Sequence, residues 1–399
     1  MKLIRACCGL FSLITLLGLV VSKAHAQYVY TSIDDPLAIA SSGYGTYVEG
    51  ISGKIVVGYY FDNAGRHGFY HTLGTTSYTT LDDPAGFKNG SSGTGAYGIS
   101  GNNIVGYYSD EINFSGTYGF VYNMVTSNYT ALDDPAGVTE GTSSTEAFGI
   151  SGTSVVGTIV GQGNTVSFLA TASPGYSYAS FYNPTPSRIT SESGGLYATN
   201  YNTIAYGISG TNIVGFWTDV NGYANSYVYS TGNSVYTPIS SPADGFCQVH
   251  GIDGNNVVGF AGDPDYGYSD SGFVFNLVTS NYTTVRDPSA AANTFAQGIS
   301  GTSVVGYYTD SSSVTHGFVA TIPVPVLLIN TMGTNVVLTA TNGIPTKSCF
   351  ILETTNLTVP FSQWTELSSN VFNASGDFSY TNGIAPGMPV TFYGLSQTP

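Results

Sequence analysis

The sequence predicts an all-β protein: a six-bladed β-propeller closed by its own N-terminal strand, followed by a small β-sandwich. Three observations predict it. The tetrapeptide "GISG" recurs at Gly50, Gly98, Gly149, Gly207 and Gly298, with "GIDG" at Gly251, at spacings of 44 to 58 residues. Each copy is followed by an almost wholly apolar run: "IVVGYY", "IVGYY", "VVGTIV", "IVGFW", "VVGF" and "VVGYY". A strand with one wet face alternates apolar and polar residues. These runs want both faces covered, which four-stranded blades of ~40–50 residues packed side by side provide. Finally, "YTSIDDP" (Tyr30–Pro36) stands near the start of the chain, whereas "YTTLDDP" (Tyr78–Pro84) and "YTALDDP" (Tyr129–Pro135) end their units.

Residues 1–26 read as a secretory leader. Lys2 and Arg5 form a basic start, Leu10–Val21 is apolar, and Ala24-His25-Ala26 is a small-residue cleavage pattern. Gln27 is the expected mature N-terminus. No later stretch approaches the ~20 apolar residues of a membrane-spanning helix. Cys7 and Cys8 precede the apolar run, against a lipoprotein anchor. The two cysteines that remain, Cys247 and Cys349, are too few for a disulfide framework, so the core must hold the fold.

The second unit, Ala96 to Gly137, shows the strand plan most clearly. Strand a is Ala96–Ser100, and a Gly101-Asn102-Asn103 turn follows, because Gly and Asn tolerate positive φ. Strand b is Ile104–Tyr108, strand c Tyr118–Asn123 and strand d Asn128–Leu132. Asp-Asp-Pro-x-Gly then ends strand d. The glycine inside each strand b (Gly58, Gly106, Gly157, Gly215, Gly259, Gly306) is expected to let neighbouring sheets approach. The sixth unit, Gln297–Thr321, runs into Ile-Pro-Val-Pro without a strand d. "YVYTSIDDP" at Tyr28–Pro36 supplies the missing strand, which places the propeller at 27–322 and protects its sheet edges.

After the "IPVPV" linker (Ile322–Val326), residues 323–399 carry "NVVLTATNG", "KSCFILETTNLT", "QWTELSS" and "VTFYGLSQ", short strands at sandwich spacing. Through its "TNL…W" and final "FY-x-L" features this segment resembles the fibronectin type III-like modules of secreted bacterial repeat proteins. The repeat itself, with its Gly-Ile turn, Val-Gly pair and His67-Gly68-Phe69 and His316-Gly317-Phe318 triplets, resembles the HAF repeat family of bacterial extracellular proteins. Other units replace the histidine with Tyr118, Ser167, Ser226 or Ser271. The resemblance implies export and an extracellular repeat fold; it implies no reaction.

Composition narrows the partners. Losing the leader removes Lys2, Arg5 and Lys23, which leaves six basic residues against 24 acidic ones, a formal charge of −18. Nucleic acid and anionic membrane need basic patches and are excluded on that ground. The b–c and d–a loops emerge on one face of a propeller, and that face is acidic. Asp62, Asp110, Asp219, Asp263 and Asp310 open the b–c loops, and Asp34, Asp35, Asp82, Asp83, Asp133, Asp134 and Asp287 sit in the d–a loops. A cation site or docking surface is one reading. "DVNG" (Asp219–Gly222) and "DPDYGYSD" (Asp263–Asp270) lack the spacing and closing Glu of an EF-hand. Turn capping is the expected role, because these acids recur at one turn of the repeat.

His67 and His316 share one repeat position and read as structural. His71 and His250 occur singly, with no triad or metal spacing around them. The pairs Tyr59/Tyr60, Tyr107/Tyr108, Phe216/Trp217 and Tyr307/Tyr308 suit the core better than a sugar platform. The expected function is therefore a secreted or cell-surface, non-enzymatic binding or adhesion module, monomeric and without cofactor or metal, whose ligand is a glycan or an extracellular protein. The alternatives are a propeller glycan lyase or hydrolase using paired carboxylates, and a structural cell-surface component.

Overall fold

A computed structural model describes residues 28–86, 92–109, 116–132, 144–161, 164–172, 175–181, 187–189, 198–200, 202–218, 224–242, 246–263, 269–323, 325–333, 335–341, 343–344, 347–373, 375–383 and 391–397. Residues 1–27, which include the segment expected to be a leader, lie outside them. The fold is all-β and propeller-like.

Strand β1 is Val29–Ile33. Four strands of unit one follow, β2 Thr46–Ser52, β3 Ile55–Asp62, β4 Gly65–Thr72 and β5 Tyr78–Leu81. Unit two holds β6 Ser92–Ser100, β7 Asn103–Ser109, β8 Thr117–Asn123 and β9 Asn128–Ala131. Unit three holds β10 Ser144–Ser151, β11 Ser154–Gly161, β12 Asn164–Ala172 and β13 Tyr176–Phe181. A hairpin, β14 Ser187–Ile189 and β15 Ala198–Asn200, accounts for the long spacing after Gly149. Unit four is β16 Thr203–Ser209, β17 Asn212–Thr218, β18 Ala224–Ser230 and β19 Val235–Ile239. Unit five is β20 Cys247–Asp253, β21 Asn256–Asp263, β22 Ser269–Asn276 and β23 Tyr282–Val285. Unit six has β24 Thr294–Ser300, β25 Ser303–Thr309 and β26 Thr315–Thr321.

Each unit is an antiparallel sheet in chain order, and units one and two are continuous through a short parallel pairing of β4 with β6. In unit six the fourth strand is β1, paired antiparallel with β26 from Val29↔Thr321 to Ile33↔Gly317.

The tetrapeptide has a physical reason at every letter. A Cβ on the first glycine would fall against the backbone of the next unit. At Gly50, Gly98 and Gly149 it would lie 2.5 Å from the carbonyl oxygens of Tyr97, Phe148 and Tyr206; at Gly207 and Gly251 it would lie 2.7 Å from those of His250 and Gln297. Gly298 stands in the same relation to Glu49, at 3.0 Å. The isoleucine is buried in every unit. The serine accepts a hydrogen bond from the second glycine of a neighbouring unit: Gly152 N–H to Ser100 Oγ, Gly210 to Ser151, Gly254 to Ser209, and Gly53 to Ser300. In "GIDG" the Asp253 carboxylate takes the serine's place and receives Gly301 N–H at 2.7 Å. The second glycine has φ between +56° and +60°, the left-handed region that favours glycine.

The strand b glycines serve a different purpose from the one expected. A Cβ there would overlap the carbonyl oxygen of strand a in the same sheet, Tyr47 for Gly58 and Phe295 for Gly306. All six innermost strands carry a β-bulge at that level, and the bulge presses their backbone against strand b.

The Asp-Pro step after strand d has one role in the three places where it is described. The main-chain N–H of its Asp donates to a threonine near the start of the next strand a: Asp83 to Thr94, Asp287 to Thr294 (in Arg-Asp-Pro), and Asp35 to Thr46. "YTSIDDP" therefore makes the same strand and the same staple as "YTTLDDP" of unit one.

The C-terminal region forms two three-stranded sheets, β27 (Val326–Met332), β28 (Asn335–Thr341) and β31 (Phe378–Gly383) in one, β30 (Thr365–Val371), β29 (Ser348–Thr354) and β32 (Phe392–Gln397) in the other. Val336 and Leu338 of the first pack with Ile351 of the second. Cys247 and Cys349 are free and buried.

Candidate functional site

The described acids of the loop face are engaged locally. Asp83 Oδ1 accepts Ala85 N–H at 2.9 Å, and Asp310 Oδ1 accepts the N–H groups of Ser312 and Val314. Those bonds, Val314 foremost, hold the Asp310 carboxyl below the usual range. Asp62 Oδ1 accepts Ala64 N–H at 2.6 Å and also meets His67 Nε2 at 2.9 Å, while Asp82 reaches His67 Nδ1 at 3.0 Å. His67 is thus clamped between the b–c and d–a loops, and the Asp82 hydrogen bond raises its pKa against burial, with Asp62 assisting. Unit six repeats the clamp: His316 Nδ1 lies 3.0 Å from Asp34, and Nε2 lies 3.5 Å from Asp310. Asp110, Asp133, Asp134, Asp219 and the side chain of Asp263 lie outside the described residues. Among the described residues no group of three His, Cys, Asp or Glu side chains is disposed to hold a metal ion.

The feature sequence reasoning passed over is a channel among the innermost strands. Its wall is a triplet from every unit, a variable residue followed by Gly-Ile. The variable residues are Glu49, Tyr97, Phe148, Tyr206, His250 and Gln297, and each sits at its strand's β-bulge. A bulge takes one residue out of ladder pairing and re-aims its side chain, here toward the channel. The signal was present in the sequence: in a repeat that holds "GIxG" constant, the residue just before it changes.

Chemistry divides the wall. Units two, three and four contribute Tyr97, Phe148 and Tyr206, with ring centroids 5.4 Å and 4.7 Å apart. Units five, six and one contribute His250, Gln297 and Glu49. Behind them runs a belt of aromatic contacts. Tyr206 stacks on His250 at 4.1 Å, His250 meets Phe260, Phe260 meets Phe295, and Phe295, Tyr307, Tyr47 and Tyr59 follow in turn. The strand b aromatics Tyr59, Tyr307 and Phe216 are thus wall supports, and Tyr60 and Tyr308 are core.

Burial controls the charges here. It pushes the Glu49 carboxyl up to about 8, against the pull of Arg66, and pushes His250 down to about 3. Arg66 donates to the Gly93 carbonyl and to the hydroxyls of Tyr97 and Tyr107, and its guanidinium lies 4.8 Å from the Tyr107 ring centroid. Gln297 is 6% exposed, and its Oε1 has no hydrogen-bond partner; neither has His250 Nε2.

No family model matches the chain, and no curated protein matches it. It is similar to solved structures at low identity. TolB from Acinetobacter baumannii is 11% identical, with a TM-score of 0.42 over 68% of this chain and 65% of that one. AofleA from Arthrobotrys oligospora is 9% identical, with a TM-score of 0.41 over 90% and 94%. A lectin of Aleuria aurantia bound to Fucalpha1-6GlcNAc is 10% identical, with a TM-score of 0.40 over 83% and 95%. The chain spans half the length of a prolyl endopeptidase that it also resembles.

Proposed function

We infer that this is an exported, non-enzymatic binding module, a six-bladed propeller closed by β1 with a C-terminal sandwich, whose ligand is a glycan or an extracellular protein. The Gly53–Ser300 hydrogen bond, the approach of Gly298 to Glu49 and the pairing of β1 with β26 support closure. The leader-like N-terminus and the HAF-like repeat support export.

One observation carries the binding reading. Of the three residues each unit gives to the channel, two are held constant and the bulge residue alone changes. A purely structural channel would gain nothing from six bulges bearing an acid, an amide, an imidazole and three aromatic rings. An asymmetric wall of aromatic surface with a few converging polar groups is how small-ligand sites are built. The clamps of His67 and His316 occur twice at one repeat position, which suits loop fastening rather than a reaction centre.

The test is a glycan and protein array probed with the secreted protein and with its Glu49→Ala/Gln297→Ala variant. The expected result is a ligand retained chemically intact and lost in the variant. A ligand that is cleaved, or one whose capture ignores both substitutions, overturns the reading.

A further inference from the structure

We propose that the polar arc of the channel is a receptor for a primary ammonium group carried on a slender aliphatic stem, as in a lysine side chain. This inference rests on the channel being the binding site and names the chemistry it takes.

Each polar group on offer carries an acceptor, beside donors such as the Gln297 amide that bonds Tyr307. Gln297 Oε1 can only accept a hydrogen bond, and it is buried without a donor. His250 is kept neutral by burial, so one ring nitrogen is an acceptor, and its Nε2 has no partner. Burial keeps Glu49 largely protonated near neutral pH, so an arriving ammonium would displace that proton, after which the carboxylate adds two acceptor oxygens. Arg66, the nearby cation, donates to Gly93, Tyr97 and Tyr107. A buried acceptor left without a donor is costly. An –NH₃⁺ group brings three donors and a positive charge, matching three acceptor groups on consecutive units.

The rest of the wall suits the stem. Tyr97, Phe148 and Tyr206 face the arc from the opposite units with apolar surface, and aromatic faces attract a cation within ~6 Å. Neighbouring inner strands meet glycine to backbone, which keeps the wall tight and favours a chain over a ring. A quaternary ammonium has no N–H and would leave Gln297 Oε1 unpaired; an alcohol brings no positive charge to draw the proton off Glu49. The acidic surface raises the local concentration of any cation.

The experiment is titration calorimetry of the secreted protein at pH 7.5 with hexylamine, hexyltrimethylammonium and hexanol. Nα-acetyl-lysine methylamide and glucosamine are then compared, to tell a protein source of the amine from a sugar source. Hexylamine is expected to bind at least tenfold more tightly than either analogue. Glu49→Gln and Gln297→Leu should each weaken it at least tenfold while unfolding stays cooperative. A preference for the lysine derivative assigns the ligand to a protein, and one for glucosamine assigns it to a glycan; both support the ammonium site. Equal binding of hexylamine and hexanol, or amine binding indifferent to Glu49→Gln, overturns the proposal. If the amine fails while an array ligand still requires Glu49 and Gln297, the ammonium chemistry is wrong and the binding module stands. If no ligand depends on those residues, both fall.

Discussion

Replacing Ile33 with alanine should cost as much stability as replacing Leu81, although one lies in the N-terminal segment and the other inside unit one. Ile33 is 3% exposed, and Leu81 is 2% exposed. Ile33 packs with Val48, Val56 and Phe69 of unit one and with Val305 and Val319 of unit six. Leu81 packs in the same way between units one and two, against Val57, Ala96, Ile99 and Phe120. Ile33 is also fixed by backbone pairing with Gly317, so the site cannot collapse around a shortened side chain. Large-to-small changes in such sites cost about 2–5 kcal/mol, from lost transfer energy plus an unfilled cavity. We expect ~3 kcal/mol for each variant, read from urea unfolding of the mature chain followed by intrinsic fluorescence. A loosely lying N-terminal arm would give the roughly 0.5 kcal/mol typical of surface positions. A cost below 1 kcal/mol for Ile33→Ala, with ~3 kcal/mol for Leu81→Ala, would refute the equivalence of β1 and strand d.

The channel acids and bases predict a pH profile. Glu49 titrates near 4.5 unfolded and about 8 folded, so its contribution is intact below 4.5 and is lost as pH rises toward 8, by roughly 1.4 kcal/mol per unit. His250 runs the other way: it titrates at 6.5 unfolded and about 3 folded, so stability falls as pH drops from 6.5 toward 3. Glu49→Gln should flatten the alkaline limb and His250→Gln the acid limb of a denaturation series; unchanged limbs would show that these groups do not titrate inside the channel. Ser151→Ala and Ser300→Ala each remove the acceptor of one inter-unit hydrogen bond and should each cost about 0.5–1.5 kcal/mol; a large cost at Ser151 with none at Ser300 would mean that units six and one are not joined like the others. In Asp82→Asn the His67 pKa should drop, as read by NMR titration, because Asp82 is the main cause of its elevation; no change would place that elevation elsewhere.

The strand order was legible because repeats average out local ambiguity. Six copies of "GIxG" and six apolar runs fixed the inner two strands, and the displaced "YTSIDDP" pointed to β26. The hairpin β14–β15 was not legible, since it occurs once and carries no repeat signal. The strand b glycines were assigned the wrong neighbour because a β-bulge leaves no mark in a residue pattern. That bulge also hid the channel: His250 was read as a solitary side chain, Glu49 and Gln297 gave no signal as a site, and only the three-dimensional register shows the three side by side. The loop acids were legible as turn formers, but the clamp of His67 between Asp62 and Asp82 needed the two loops brought together.

The most direct test of the account is a cysteine pair at Val29 and Thr321, opposed in the pairing of β1 with β26. The native cysteines are buried, so oxidation of the folded Val29→Cys/Thr321→Cys protein should form an intramolecular disulfide, seen as a faster band on a non-reducing gel and as a linked peptide by mass spectrometry. A control pair at Val29 and Thr284, on β1 and on β23 of unit five, should stay reduced. Near-complete crosslinking of the first pair is expected, with melting at a temperature no lower than that of the reduced form. No crosslink at Val29/Thr321, or equal crosslinking in the control, would contradict closure by the N-terminal strand and with it the channel built on that closure.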